Sequence, residues 1–258
     1  MSMKTDFRIG YCQKRLAFTS IELLVVVGIL IFCTFLILPA FGRTKNNSPT
    51  AQCLNNLRQL SSAISMYSVD NQDTLPGSCW TAVYGHYQSN TQLRYGLINY
   101  IAPYLGGEAS TTTLQSIDAA NCPGSLRFRK NPPSSTNILA MNVSYQLLRY
   151  LTNNTSNPPF SLCDAPVQDR FPFGYPSKSL GLSICGSSAF DYPGMKISNI
   201  KLPGRQWAMV DVDARNSISS INVFPGGANY GQNLPSTRVH LNTRNYLFFD
   251  GHAATIKD

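Results

Sequence analysis

Glutamate is nearly missing from this 258-residue chain: Glu22 and Glu108 are the only two, and charged residues of both signs make up 13% of it. That is about half the usual share of charge. The surface must therefore be largely neutral and rich in Ser, Thr, Asn and Gln, which suits an extracytoplasmic protein better than a cytosolic one. A hydrolase built on paired carboxylates would have to draw on aspartates such as Asp191, Asp211 or Asp213, whose spacing does not recommend them. There is no GxSxG elbow, P-loop, dinucleotide fingerprint or HExxH, so no enzyme is expected. No CxxC pair occurs either, which leaves a zinc site little support.

What is present begins with a net charge of +8. Residues 1–17 hold four basic residues (Lys4, Arg8, Lys14, Arg15) and one acid (Asp6), so removing them lowers the balance from +8 to +5. The remaining positive residues are scattered, and no nucleic acid is expected as a partner. Seven cysteines divide by position: Cys12, Cys33, and then Cys53, Cys79, Cys122, Cys163 and Cys185. Five cysteines cannot all pair within one chain, so an oxidising compartment allows one or two disulfides with a thiol left over, in a connectivity the sequence does not fix.

Residues 23–41 read LLVVVGILIFCTFLILPAF, with no charge and Thr34 as the one clearly polar side chain. Nineteen such residues are long enough to span a bilayer as a helix. The preceding basic residues keep the N-terminus cytoplasmic. Arg43, Thr44, Lys45 and Asn46 follow, giving no A-x-A-like site, so the segment reads as retained rather than cut off as a signal peptide. Glu22 stands at the edge of this run, where a carboxylate is expensive to bury and calls for a partner.

Residues 14–30, KRLAFTSIELLVVVGIL, resemble the processing and methylation motif of type IV prepilins and type II secretion pseudopilins. The resemblance implies a cut by a prepilin peptidase between Ala17 and Phe18, methylation of the new amine, and Glu22 as fifth residue of the mature chain. The freed amine at Phe18 would be neutralised by Glu22 of a neighbouring subunit, a strong pairing where the dielectric is low. The family usually has Gly where this chain has Ala17, and an apolar residue at Ser20. Residues 53–76, CLNNLRQLSSAISMYSVDNQDTLP, resemble a segment of one bacterial prepilin-like subfamily, whose C-terminal signature of His, nine residues and Asp-Gly is matched by His240, Asp250 and Gly251. Between these ends only CPGS (122–125) and NVSYQLL (142–148) agree.

Behind the apolar run, Leu54, Leu57, Leu60, Ile64 and Tyr67 recur at spacings of three and four, one face of a helix that docks on a core. Asn46, Asn47, Ser48 and Pro49 are unfavourable inside a helix and favour a break or kink before it. Most of the sixteen prolines lie between Leu75 and Arg205, so long loops are expected there. Strand candidates are residues 138–148, 206–211 and a closing hairpin, NYLFF and HAATIK, around Asp250-Gly251, which suit a type I′ turn. The reading favoured for Asp250 and Gly251 is this turn, and for His240 a hydrogen bond to a loop. A His240, Asp250, His252 metal cluster is the alternative. Asp211 and Asp213, with Asn216 nearby, faintly suggest a structural Ca2+, without the glycine and closing glutamate of an EF-hand.

The fold expected is α+β and pilin-like: a long N-terminal hydrophobic helix packed on a head with an antiparallel sheet and long loops. Its parts are a leader (1–17), a transmembrane and assembly helix (18–42), a helix extension (43–74) and a periplasmic head (75–258). The function expected is a structural subunit of a pilus-like or pseudopilus filament, anchored once in a bacterial inner membrane. Its partners would be the prepilin peptidase, other pilin-like subunits, an inner-membrane assembly platform and the lipid bilayer, with no cofactor beyond the weak Ca2+ candidate. The alternative is an anchored periplasmic glycan-binding or hydrolytic domain that does not polymerise.

Overall fold

A computed structural model describes residues 20–90, 92–128, 143–152, 163, 165–181, 185–186, 191–216 and 234–257; for 35–48, 92 and 180 the backbone alone is described. The chain divides into two compact units, Met1–Asn46 and Asn47–Asp258. Helix α1 (Ser20–Asp70) contributes to both. Its backbone is helical through residues 46–49, where the sequence favours a break or kink, so the helix is not broken there; the division between the units falls at that point.

The expected long hydrophobic helix packed on the head is corrected here. Among the described residues no helix is long and apolar enough to cross a membrane. The physical reason lies in the two composition regimes of α1: the apolar run gives way to the polar stretch 43–49, and the residues of α1 in the head's core begin only at Cys53.

In the first unit, the described side chains of α1 carry their apolar groups outward: Ile21, Leu24 and Phe32 are 71%, 72% and 66% exposed. Thr34, the polar exception, satisfies itself by donating to the Ile31 carbonyl at 2.7 Å.

The second unit is α+β. Its centre is a five-stranded antiparallel sheet in the order β1 (Ala82–Tyr84), β4 (Val143–Leu147), β7 (Trp207–Asp211), β8 (Thr243–Phe248), β9 (Ala253–Lys257). Two small ribbons stand apart from it, β2 (His86–Tyr87) with β3 (Gln115–Ser116), and β5 (Phe173–Tyr175) with β6 (Tyr192–Gly194). Short helices α2 (Leu97–Ile101) and α3 (Pro123–Leu126) and several single-turn 3-10 helices lie between the strands. The interior strand β4 is buried along its whole length, whereas the edge strand β9 is largely exposed.

The stripe on α1 makes the core. Leu57 and Leu60 are completely buried and join Cys53, Ala63 and Ile64 in one cluster with Tyr145, Leu147, Met209 and Leu247 from three strands. Burying each such leucine contributes about 1.5–3 kcal/mol relative to exposure. The helix stops where Gln72 and Asp73 take positive φ (56° and 66°), while the N–H groups of Asn71 and Asp73 cap the carbonyls of Tyr67 and Ser68. The closing hairpin forms, but with a tighter correction: Gly251 alone of the Asp250-Gly251 pair has positive φ (92°). Phe248 C=O accepts from Gly251 N–H, and Phe248 N–H donates to His252 C=O, so the loop has three residues rather than the two of a type I′ turn.

Candidate functional site

Two places carry chemistry. The first is the described start of α1, where Glu22 lies in the first described turn. The apolar side chains of Ile21, Leu23, Leu24, Val25, Ile29 and Phe32 flank it, all exposed. Ala17 and Phe18 lie outside the described residues.

The second is a buried polar cluster in the head, assembled from chain segments far apart in sequence. Thr50 and Cys53 come from α1, Cys122 from the residue capping α3, Asp211 from the end of β7, His240 from the turn into β8, and Asn245 from β8 itself. Cys53 and Cys122 form a disulfide. The His240 ring enters because the chain reverses there: Thr243 donates both its N–H and its hydroxyl to the His240 carbonyl, at 3.1 and 2.9 Å. Leu241, at φ 57° and 75% exposed, takes the left-handed conformation that lets the turn close. Gly124 gives the ring room, since a Cβ there would lie 2.8 Å from His240 Cε1 and 2.6 Å from Val239 Cγ1.

Inside the cluster, His240 Nδ1 lies 3.2 Å from Thr50 Oγ1, and Nε2 lies 3.4 Å from Cys122 Sγ and 3.3 Å from Asp211 Oδ2. Asn245 N–H donates to the same Asp211 oxygen at 2.7 Å, and Asn245 Nδ2 reaches back to the Thr50 carbonyl. Asp211 Oδ1 is buried with no hydrogen-bond partner. Burial pushes the Asp211 carboxyl up to about 7 and the His240 imidazole down to about 4, Asp213 adding to the first and Arg127 to the second. Burial thus disfavours charge on both, and the 3.3 Å contact is better described as a buried hydrogen bond than as a full ion pair.

Asp213 does different work. Arg244 grips it with two contacts, Nε to Oδ2 at 2.8 Å and Nη2 to Oδ1 at 3.2 Å, with Asp213 completely buried. Oδ1 also accepts the N–H groups of Arg215 and Asn216. Asn216 closes the loop by donating to the Asp211 carbonyl at 2.8 Å. Both Asp213 oxygens are thus committed to a guanidinium and a turn, which does not fit the Ca2+ role suggested for Asp211 and Asp213.

His240 and Asp250, singled out together by their spacing, have separate surroundings. Asp250 sits at the exposed hairpin tip, where Oδ1 accepts from His252 N–H at 3.1 Å and contacts His252 Nδ1 at 2.6 Å. The His252 ring stacks on Phe248 with centroids 4.2 Å apart. Gly251 supplies the positive φ of the turn and a carbonyl that accepts from Ser61 Oγ at 3.3 Å. The partners of His240 that sequence reasoning missed are Thr50, Cys122 and Asp211. Nothing in the sequence around Cys53 and Cys122 announces that these cysteines pair or meet a histidine.

A second disulfide joins Cys163 and Cys185, leaving Cys79 buried and Cys33 exposed as thiols among the described residues. Compared with known proteins, the chain matches no family model, no curated protein and no solved structure.

Proposed function

We propose that this chain is an exported, filament-forming subunit of the prepilin-like kind, cut between Ala17 and Phe18 and assembled through the exposed apolar stretch at the start of α1. The observation that carries this reading is the stretch itself. Large apolar side chains from Ile21 to Phe32 stand in solvent, with a single carboxylate among them in the first described turn. Contiguous apolar surface of this kind marks an interaction site. Copies of the same stretch, packed side by side, would remove it from water. Glu22 of one subunit would take the amine freed at Phe18 of the next, setting the register between them.

The two disulfides of the head agree with an oxidising compartment. On this reading the leader stays on the cytoplasmic side and the head works in the periplasm, with a prepilin peptidase, sister subunits and an inner-membrane assembly platform as partners. The Cys53–Cys122 bond then has a mechanical sense, because it ties α1 to the residue that caps α3, within the core of the head.

The test is Glu22→Leu in the native host. The variant is expected to be exported with both disulfides formed and to be missing from sheared filaments. Incorporation at the wild-type level would remove the role given to Glu22 and, with it, the assembly mechanism.

A further inference from the structure

The cluster around His240 has the composition and spacing of a metal site that a disulfide has closed. The ligand atoms of Cys53, Cys122 and His240 all lie within 4.8 Å of one another, and all three residues are buried. Asp211 Oδ2 lies 3.3 Å from the same imidazole nitrogen that approaches Cys122 Sγ at 3.4 Å. In a tetrahedral zinc site with Zn–S near 2.3 Å and Zn–N or Zn–O near 2.0–2.1 Å, ligand atoms stand roughly 3.3–3.8 Å apart. The separations from His240 Nε2 to Asp211 Oδ2 and to Cys122 Sγ are already at that spacing; the two sulfurs must part, and Asp211, which stands outside the trio of ligand atoms within 4.8 Å, must swing a carboxylate oxygen toward them.

Two further features fit a ligand set rather than a purely structural cluster. Asp211, 1% exposed, has an oxygen, Oδ1, with no partner, and a buried orphan acceptor needs an explanation. His240 would ligate through Nε2 while Nδ1, 3.2 Å from Thr50 Oγ1, is held by an outer hydrogen bond of the sort that fixes the orientation of metal-bound histidines.

We propose that, when the Cys53–Cys122 bond is reduced, Cys53, Cys122, His240 and Asp211 bind one Zn2+, so that the head keeps its clamp on α1 as a metal cross-link instead of a disulfide. An external dithiol delivers two electrons and two protons to the sulfurs, giving two thiols, and itself closes to a disulfide. Zn2+ then displaces both thiol protons to solvent and forms two Zn–S bonds. Two thiolates and a carboxylate leave the site at net −1, beside Arg127, whose Nη2 donates to the Val239 carbonyl. The inference does not depend on the filament reading, which concerns the start of α1.

The test uses the full chain in detergent micelles, reduced with a phosphine, cleared of reductant under argon, and titrated with Zn2+ alone. One Zn2+ per reduced chain and none in the oxidised chain are expected. Zn2+ should protect Cys53 and Cys122 from alkylation, mapped by peptide mass, while leaving Cys163 and Cys185 reactive. His240→Gln and Asp211→Asn should each weaken binding at least about tenfold, the loss that even a change beyond the ligands brings. Unchanged affinity in both variants would mean that the metal sits on other thiols, and overturns the proposal. Should either variant fail to fold, the wild type decides: absence of protection at Cys53 and Cys122, or no rise in the Tm of the reduced chain on adding Zn2+, overturns it equally.

Discussion

Replacing Cys53 and Cys122 together by alanine should be more damaging to the head than removing its second disulfide. The bond closes a loop of 69 residues. By the chain-entropy relation, releasing such a loop adds about 15 cal/mol/K to the unfolded state, or about 4.4 kcal/mol at 25 °C. The same relation gives about 3.4 kcal/mol for the Cys163–Cys185 bond, whose ends are 22 residues apart. The difference in place widens the gap: Cys53 and Cys122 are both fully buried in the main core, whereas Cys163 and Cys185 are exposed. Urea unfolding followed through Trp80 and Trp207 gives the assay, since Trp80 is buried on T-shaped contacts with Tyr95 and Tyr175. With a urea slope of about 2–3 kcal/mol/M, the midpoint of the Cys53/Cys122 variant should fall by about 1.5–2 M. A fall smaller than that of the Cys163→Ala, Cys185→Ala variant would refute the idea that the first bond holds α1 in the core of the head.

Other consequences follow from the same contacts. Gly124→Ala puts a methyl group against the His240 ring and Val239, and should cost about 1–3 kcal/mol in the same unfolding assay. Arg244→Met strands Asp213 as a buried unpaired charge and should cost about 3–5 kcal/mol, far more than a surface arginine would. At the hairpin tip, partial burial pushes the Asp250 carboxyl up, but hydrogen bonds from the His252 N–H and ring outweigh it and hold the group below 3.8. A depressed carboxylate stabilises the fold above its unfolded value and loses that contribution as the pH falls through the folded one. Asp250→Asn should therefore lower stability slightly at neutral pH, by under about 1 kcal/mol for so exposed a pair, and the difference should vanish once the pH has fallen through the folded value. Melting curves of both proteins across that range measure it.

The sequence made some of this legible and hid the rest for identifiable reasons. Leu57, Leu60 and Ile64 announce a buried helical face because a 3.6-residue period is a local property, and the face they describe is the one that packs. The closing hairpin was legible for the same reason, an alternation around Asp-Gly, yet its loop took three residues because only Gly251 adopts positive φ. The order of the sheet was not legible, since β1 pairs with β4 and β4 with β7 across long loops that no local pattern links. The His240 cluster was hidden by the same non-locality. Spacing suggested Asp250 as its companion, but Asp211 meets it, because β7 and β8 are neighbours and the turn at Leu241 aims the ring across them. The apolar run misled in a different way: hydropathy reports what a segment avoids, not what covers it, and the long helix docked on the head did not follow from it.

Processing ahead of the apolar stretch tests the central claim most directly, because assembly through a freed amine and Glu22 requires it. Intact mass spectrometry of the chain purified from its native host should find a polypeptide that begins at Phe18, methylated or not. A chain that still begins at Met1, or one that begins beyond Phe41, would contradict the account.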